Sequence, residues 1–169
     1  DNGQVEVGSR FGPHYGAQSV LLEGIQGAEL AGYTYEGADK SAAHRSGFPG
    51  KPSSCTTCHM GESDNNEGKH TLLPTETSCV QCHTSGAPTE VAGLEEAIQT
   101  LEDLLIAEGI LKKDEVDGSI SIVSGNYDLV PAAALWNYRM LYYDHSHGVH
   151  NPKYAKSLIQ NSIDALNAN

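Results

Sequence analysis

The stretches Cys55-Thr-Thr-Cys-His59 and Cys79-Val-Gln-Cys-His83 repeat one pattern, two cysteines separated by two residues and followed at once by histidine. They contain all 4 cysteines of the chain. In this pattern the two thiols attach a porphyrin covalently, and the histidine supplies one axial ligand of its iron. The sequence therefore predicts two covalently bound haem c groups. The predicted attachment and ligand residues are Cys55, Cys58, His59, Cys79, Cys82 and His83.

The same four cysteines allow two other interpretations. Read without the histidines, their spacing also suits a zinc ribbon, and a pair of Cys-x-x-Cys disulfides is a third possibility. A zinc ion held by four thiolates needs no histidine after each cysteine pair. Histidine is rare here, 8 residues in 169, so its presence after both pairs favours haem over either alternative.

Composition bears on the folding of the chain, and charge bears on the class of partner. Hydrophobic residues make up 38% of the chain, a low share that two buried porphyrins would supplement, so we expect a poorly folded apoprotein. The net charge of -12 argues against nucleic acid and anionic membrane surfaces as partners. It fits basic redox proteins, although acidity that only maintains solubility is an equally good interpretation.

The compartment follows from the predicted cofactor. No apolar run approaches the length of a membrane span. The chain begins at Asp1 without the basic and apolar parts of a leader peptide, and we interpret it as a mature form from which a signal was removed. Because haem is attached to cysteines outside the cytoplasm, we expect a periplasmic or extracellular protein.

The chain reads as a single domain over residues 1–169. The predicted fold is mainly α with long irregular haem-wrapping loops and little β, a dihaem cytochrome c. Glycines punctuate the N-terminal part, where one short helix is predicted near Gln18–Glu23. The three predicted parts are a loop-rich N-terminal segment (1–54), a haem-attachment core (55–88) and a helical C-terminal part (89–169).

Apolar residues recur at helical spacing after the second motif, which predicts an amphipathic helix. Thr89 is its predicted N-cap and Gly109 its predicted stop. The residues of the apolar stripe are Val91, Leu94, Ile98, Leu101 and Leu105.

Two prolines mark the starts of two further helices. Pro131 is predicted at the first position of one, and Pro152 at the first position of the other, with Asn151 as N-cap. Between the first helix and Pro131, the alternation of Ile120 and Ile122 predicts a short strand or hairpin.

Four segments outside the two motifs occur in the same order as in a known family. They resemble the C-terminal part of ammonia-forming cytochrome c nitrite reductases and related multihaem cytochromes, and the resemblance extends from Arg10 to Leu166. The segments are Arg10-Phe-Gly-Pro-His14-Tyr-Gly-Ala-Gln18, His44 ahead of the motif that continues into Met60, His70-Thr-Leu-Leu-Pro74, and Gly148-Val-His150-Asn-Pro152.

The resemblance implies distal ligands for both haems. In the family, the histidine of G-x-H-x-P binds the haem whose motif resembles Cys55–His59, which implies that His150 pairs with His59. A histidine ahead of all the motifs binds the final haem, which implies that His14 pairs with His83.

Other histidines remain alternatives as distal ligands. His44 resembles an active-site histidine of the nitrite reductases, and His70 resembles the ligand of an earlier haem that has no motif in this chain. Each stands shortly before a motif and could reach its haem across a loop. His145 and His147 are predicted to be surface or supporting groups that could replace His150.

The resemblance implies electron transfer rather than catalysis. The catalytic haem of the family is bound through Cys-x-x-Cys-Lys, and that pattern is absent here. Two irons that each hold two histidines have no open position, so the predicted function is an electron relay in respiration between redox protein partners or to a terminal acceptor. One alternative is a subunit of an extracellular haem filament or larger multihaem complex, with His70 or His44 ligating across chains. The other is a small nitrite-reductase-like or peroxidase-like enzyme with His44 as acid–base group.

Overall fold

The computed structural model describes residues 3–46, 55–61, 68–86 and 88–169, so part of the predicted N-terminal loop segment, 47–54, lies outside the described residues. Helices predominate and the strands are short, as the sequence predicts. The helices are α1 (Gln18–Glu23), α2 (Cys55–His59), α3 (Glu76–Cys79), α4 (Leu94–Ala107), α5 (Leu129–Asp144) and α6 (Pro152–Ala168). The strands are β1 (Gln4–Val7), β2 (Leu111–Lys113), β3 (Ile120–Ile122) and β4 (Gly125–Asp128).

The core lies where α4, α5 and α6 pack against one another. Helix α5 is buried on several faces, from Pro131 to Leu135 and again at Met140, because it has neighbours on both sides. Each large apolar side chain removed from water here contributes about 1.5–3 kcal/mol to folding. Fully buried members of this core are Leu101, Leu105, Leu135, Met140 and Leu158.

Both small sheets pack against the helical core. Strand β1 pairs antiparallel with β4, with Val7 opposite Gly125, and the buried side chain of Val7 belongs to the core. Strands β2 and β3 form an antiparallel hairpin in which Leu111 lies opposite Ile122. The strand predicted around Ile120 and Ile122 is therefore confirmed, and its partner precedes it in the chain.

Helix α4 begins later than the sequence predicts. Its N-cap is Gly93, with φ of 77°, so the prediction of Thr89 as N-cap is wrong. The amide of Val91 donates to the carbonyl of His147 at 2.9 Å, and this bond to a distant loop keeps residues before Gly93 out of the helix. The predicted stop is confirmed, because the helix ends at Ala107 and Gly109 follows with φ of 73°.

The other helix starts are partly as predicted. Helix α1 has the predicted bounds. Helix α5 begins at Leu129 after Asp128, which places Pro131 at the third helical position rather than the first. Strand β4 runs directly into α5, so the chain turns helical two residues before the proline. Asn151 and Pro152 occupy the predicted N-cap and first position of α6.

No helix in the described ranges combines the length and apolar character that crossing a membrane requires. This agrees with the absence of a long apolar run in the sequence.

Asn151 joins the N-terminal region to α6. Its side chain is 1% exposed, and its amide nitrogen donates to the carbonyls of Leu21 (3.1 Å) and Gly37 (2.9 Å). Its amide oxygen accepts from the backbone N–H of Tyr154 at 3.2 Å. Gly37 has φ of 82°, and a Cβ there would lie 2.6 Å from the Asn151 amide oxygen, so glycine is needed at this contact.

Replacing Asn151 with alanine should therefore lower the free energy of unfolding by about 2–4 kcal/mol, because a helix cap is lost and two carbonyls lose a buried donor. Chemical denaturation of the wild type and the variant measures the loss. The control is Asn161→Ala, which removes a similar amide-to-carbonyl bond, to Thr34 at 2.9 Å, that is exposed to solvent although the residue is half-buried. We expect that control to change stability by less than about 0.5 kcal/mol. Equal losses in the two variants would contradict this account of Asn151.

Candidate metal centres

Both Cys-x-x-Cys-His motifs adopt a helical turn. Helix α2 consists of the first motif, which puts the side chains of Cys55 and Cys58 one turn apart on the same face. Helix α3 ends at Cys79, and the amide of His83 donates to the Cys79 carbonyl at 2.9 Å, which continues the helical turn through the second motif. Each motif thus presents its two sulfurs on one side, as two bonds to one flat group require.

The four sulfurs differ in burial, because Cys58 and Cys79 are half-buried whereas Cys55 and Cys82 are exposed. All four are free thiols. Within the described residues, no three or more His, Cys, Asp or Glu side chains converge as they would around a metal ion. Burial, with further contributions from Cys79 and Cys55, raises the pKa of the Cys58 thiol, and burial also raises that of Cys79.

Four histidine side chains form two pairs. The ring centres of His59 and His150 are 6.2 Å apart, with ring planes inclined at 44°. Those of His44 and His83 are 6.1 Å apart, with planes inclined at 70°. A nitrogen bound to a metal at about 2 Å lies about 1 Å from its ring centre, so two imidazoles on opposite sides of one metal have centres about 6 Å apart. Both pairs have this spacing.

Hydrogen bonds fix the rings of three paired histidines through Nδ1. His59 donates to the carbonyl of Leu72 (2.7 Å), and His44 donates to the carbonyl of Val149 (2.6 Å). His150 donates to the carboxylate of Asp144 at 2.6 Å. Because these oxygens accept, the proton is on Nδ1 and the lone pair is on Nε2. Histidines that bind metals are held in this way by their second nitrogen.

Burial separates the paired histidines from the others. The rings of His44, His59, His83 and His150 are half-buried, and the remaining histidines are exposed. The exposed histidines are His14, His70, His145 and His147.

Two of these exposed histidines have partners of their own. The Nδ1 of His14 bonds to the carbonyl of Tyr15 at 2.9 Å, and that of His147 bonds to a carboxylate oxygen of Glu95 at 2.7 Å. His70 lies in a short 3-10 turn over Lys69–Thr71. None of these contacts involves His83.

The structure brings His44 to His83, where the resemblance implies His14. The two residues that the resemblance pairs at the other site, His59 and His150, have ring centres 6.2 Å apart. His44 precedes α2 in a short 3-10 turn and packs against the loop between α5 and α6, whereas His14 lies in the exposed loop before α1. A long-range contact therefore selects His44, and sequence separation alone offers no such signal.

The loop between α5 and α6 carries His150 in an unusual backbone path. His145, His147 and Gly148 have φ of 56°, 50° and 81°. A Cβ at Gly148 would lie 2.5 Å from the Leu94 side chain, so only glycine allows this loop to pack against α4. The close packing fixes the position from which the His150 ring extends.

Asp144 is a site residue that the sequence analysis missed. Its side chain is 2% exposed, and it accepts from the His150 ring, from the Ser146 amide and from the Ser146 hydroxyl. Its place shortly before His150 could have signalled it, because carboxylates commonly support metal-bound histidines.

We call residues 44–90, which carry both motifs, the motif segment, and its described residues form no apolar core. Neither hydrophobic cluster in the described part of the chain includes a residue of this motif segment. Several of its apolar side chains are instead exposed, and Leu72, which is 58% exposed, directly follows the turn that carries His70. A flat apolar group between the histidine pairs would cover such side chains. The exposed apolar residues are Met60, Leu72, Leu73 and Val80.

Comparison of the chain with protein-family models, with curated proteins and with solved structures finds no match. The resemblance to multihaem cytochromes stays a prediction, and the assignment of function rests on the residues and distances described above.

Alanine at His44 should expose one iron in the haem-loaded protein. We expect His44→Ala to convert one of the two haems from low-spin to high-spin and to let it bind carbon monoxide, because His83 loses its opposing ring. Absorption and electron paramagnetic resonance spectra measure both effects. His14→Ala is the matched control and should leave both haems low-spin. The reverse result would assign the distal position to His14.

A chain without haem should retain its helical core and lose order in the motif segment. With all four cysteines changed to alanine, limited proteolysis should cut within residues 44–90 and leave a resistant fragment that contains α4, α5 and α6. We therefore expect only the motif segment, rather than the whole chain, to be poorly folded without haem. Loss of the helical circular dichroism signal from the whole chain would contradict this prediction.

Proposed function

We propose that the chain is an electron-transfer protein, a c-type cytochrome with two covalently attached haems that are each bound by two histidines. The observation that carries the proposal is the pair of imidazole pairs, spaced for a metal and each containing the histidine of one Cys-x-x-Cys-His motif. We call the group at Cys55 and Cys58 the first haem and the group at Cys79 and Cys82 the second haem.

The residues present fit these groups. His59 and His150 would bind the iron of the first haem, and His83 and His44 that of the second. The sulfurs would form the thioethers, and haem would supply a one-electron ferric–ferrous couple. The proposal accounts for the half-buried histidines, for the Nδ1 hydrogen bonds that leave Nε2 as the free lone pair, and for apolar side chains without protein cover.

Fixed ligands suit electron transfer. With an imidazole on each side, neither iron has a position for a substrate. The bonds from His59, His44 and His150 to fixed acceptors hold the rings in both oxidation states. Little rearrangement then accompanies electron uptake. His44, held in this way as a ligand, is not free to act as the acid–base group of the enzyme alternative.

The two proposed haems are neighbours. The ring of His44 donates to the carbonyl of Val149, the residue next to His150, so the distal ligands of both haems meet at one loop. This closeness supports a path from one haem to the other within the chain.

The proposal extends to partners and compartment. The net charge of -12 favours donors or acceptors that present basic residues. Attachment of haem to cysteine implies export, so we place the protein in the periplasm or outside the cell. The order of motifs that resembles multihaem cytochromes supports a respiratory role.

Expression in a host that matures c-type cytochromes tests the proposal. Intact mass and a pyridine haemochrome assay should show two covalent haems per chain. Ferric spectra should be wholly low-spin, and the reduced protein should not bind carbon monoxide. Changing Cys55 and Cys58 to alanine should leave one haem, and changing Cys79 and Cys82 should do the same. A colourless protein, or one that binds zinc, would overturn the proposal, and high-spin haem in the native protein would favour the enzyme alternative.

A further inference from the structure

The two distal histidines differ in the group that accepts their Nδ1 proton. His150 donates to a carboxylate, that of Asp144, whereas His44 donates to the neutral carbonyl of Val149. The two hydrogen bonds are otherwise alike, because both are 2.6 Å long and both rings are half-buried. The two proposed distal ligands therefore differ chemically in one acceptor.

The carboxylate of Asp144 has little contact with solvent. Its side chain is 2% exposed, compared with 20% for the ring of His150. Its neighbours on the same loop are the amide and hydroxyl of Ser146, which donate to Oδ2 and leave Oδ1 for the His150 ring. Water therefore screens this charge weakly, and its effect on the ring is strong.

A carboxylate acceptor makes an imidazole a stronger donor of electrons to its metal. It draws the Nδ1 proton toward itself, which raises electron density at Nε2, and its negative charge favours the more positive oxidation state of a nearby iron. A carbonyl acceptor polarises the ring less and adds no net charge. Of two otherwise similar haems, the one whose histidine ligand donates to a carboxylate has the lower reduction potential.

We propose that Asp144 is a positioning residue that fixes the His150 ring and sets the first haem at a lower reduction potential than the second. This inference rests on the proposed function and adds to it the direction of electron transfer between the two haems. With haem bound, this order of potentials would favour electron transfer toward the group held by His83 and His44.

Asp144→Asn tests the proposal in the haem-loaded protein. The change keeps the shape of the side chain and removes its charge. We expect a spectroelectrochemical titration of the wild type to resolve two one-electron components. The variant should raise the lower component alone, with about a tenfold change in its equilibrium constant, about 59 mV for one electron. Asp144→Glu should restore the lower potential in part.

Glu102→Gln is the matched control for charge. Glu102 accepts from the buried hydroxyl of Tyr138 and contacts no proposed ligand, so its neutralisation removes the same charge elsewhere in the chain. We expect its effect on both components to be small and equal. If Asp144→Asn also moved both components equally, or moved only the upper one, the proposal would be overturned.

Ser146→Ala provides a second variant in case Asp144→Asn binds less haem. It keeps the carboxylate and removes one of its three donors, along with the hydroxyl that accepts from the His150 amide at 3.2 Å. The charge on Asp144 is then shared less, and the lower component should fall further. A rise or no change in the lower potential would count against the assignment.

The two proposals are separated by counting haems and recording the spin state first. Two low-spin haems with unchanged potentials would refute the role of Asp144 alone. A chain without haem would refute the proposed function itself.

Discussion

Two pairs of opposed imidazole rings are the interaction on which the arrangement of the motif segment depends. Each pair joins a histidine of an attachment motif to one that is distant in sequence, His59 to His150 and His83 to His44. The segment adds no residue to the hydrophobic clusters of the described chain, so apolar packing does not hold it against the helices. A group that bridges the rings would supply the missing attachment, and cofactor binding and local folding would then be one event.

The helices were largely predictable because local patterns specify them. The stripe of α4 and the Asn-Pro start of α6 are encoded within a few residues. The errors occur where a distant partner competes with a local signal. The bond from Val91 to the loop after α5 delays the start of α4, and the pairing of β4 with β1 moves the start of α5 ahead of Pro131. Neither the Val91 hydrogen bond nor the pairing of β1 with β4 can be predicted from the neighbouring residues.

The same division applies to the candidate site. The cysteines and histidines that are proposed to hold haem form contiguous motifs, so the sequence alone is enough to propose them. The distal positions depend on which loop folds back onto which motif, and both His14 and His44 lie in irregular regions without periodicity. Asp144 and the carbonyl of Val149 are still harder to predict from the sequence. Any residue provides a backbone oxygen, and a single aspartate has many ordinary roles.

The ends of the motif segment lie close together. The ring of His44, at its start, bonds to the carbonyl of Val149, and the amide of Val91, just after its end, bonds to the carbonyl of His147. The segment thus leaves the helical core and returns to it at one short loop. The free energy of closing such a loop rises slowly with its length, and insertions at such places are well tolerated. A longer segment could therefore occupy the same two anchor points while the helices beneath keep their packing.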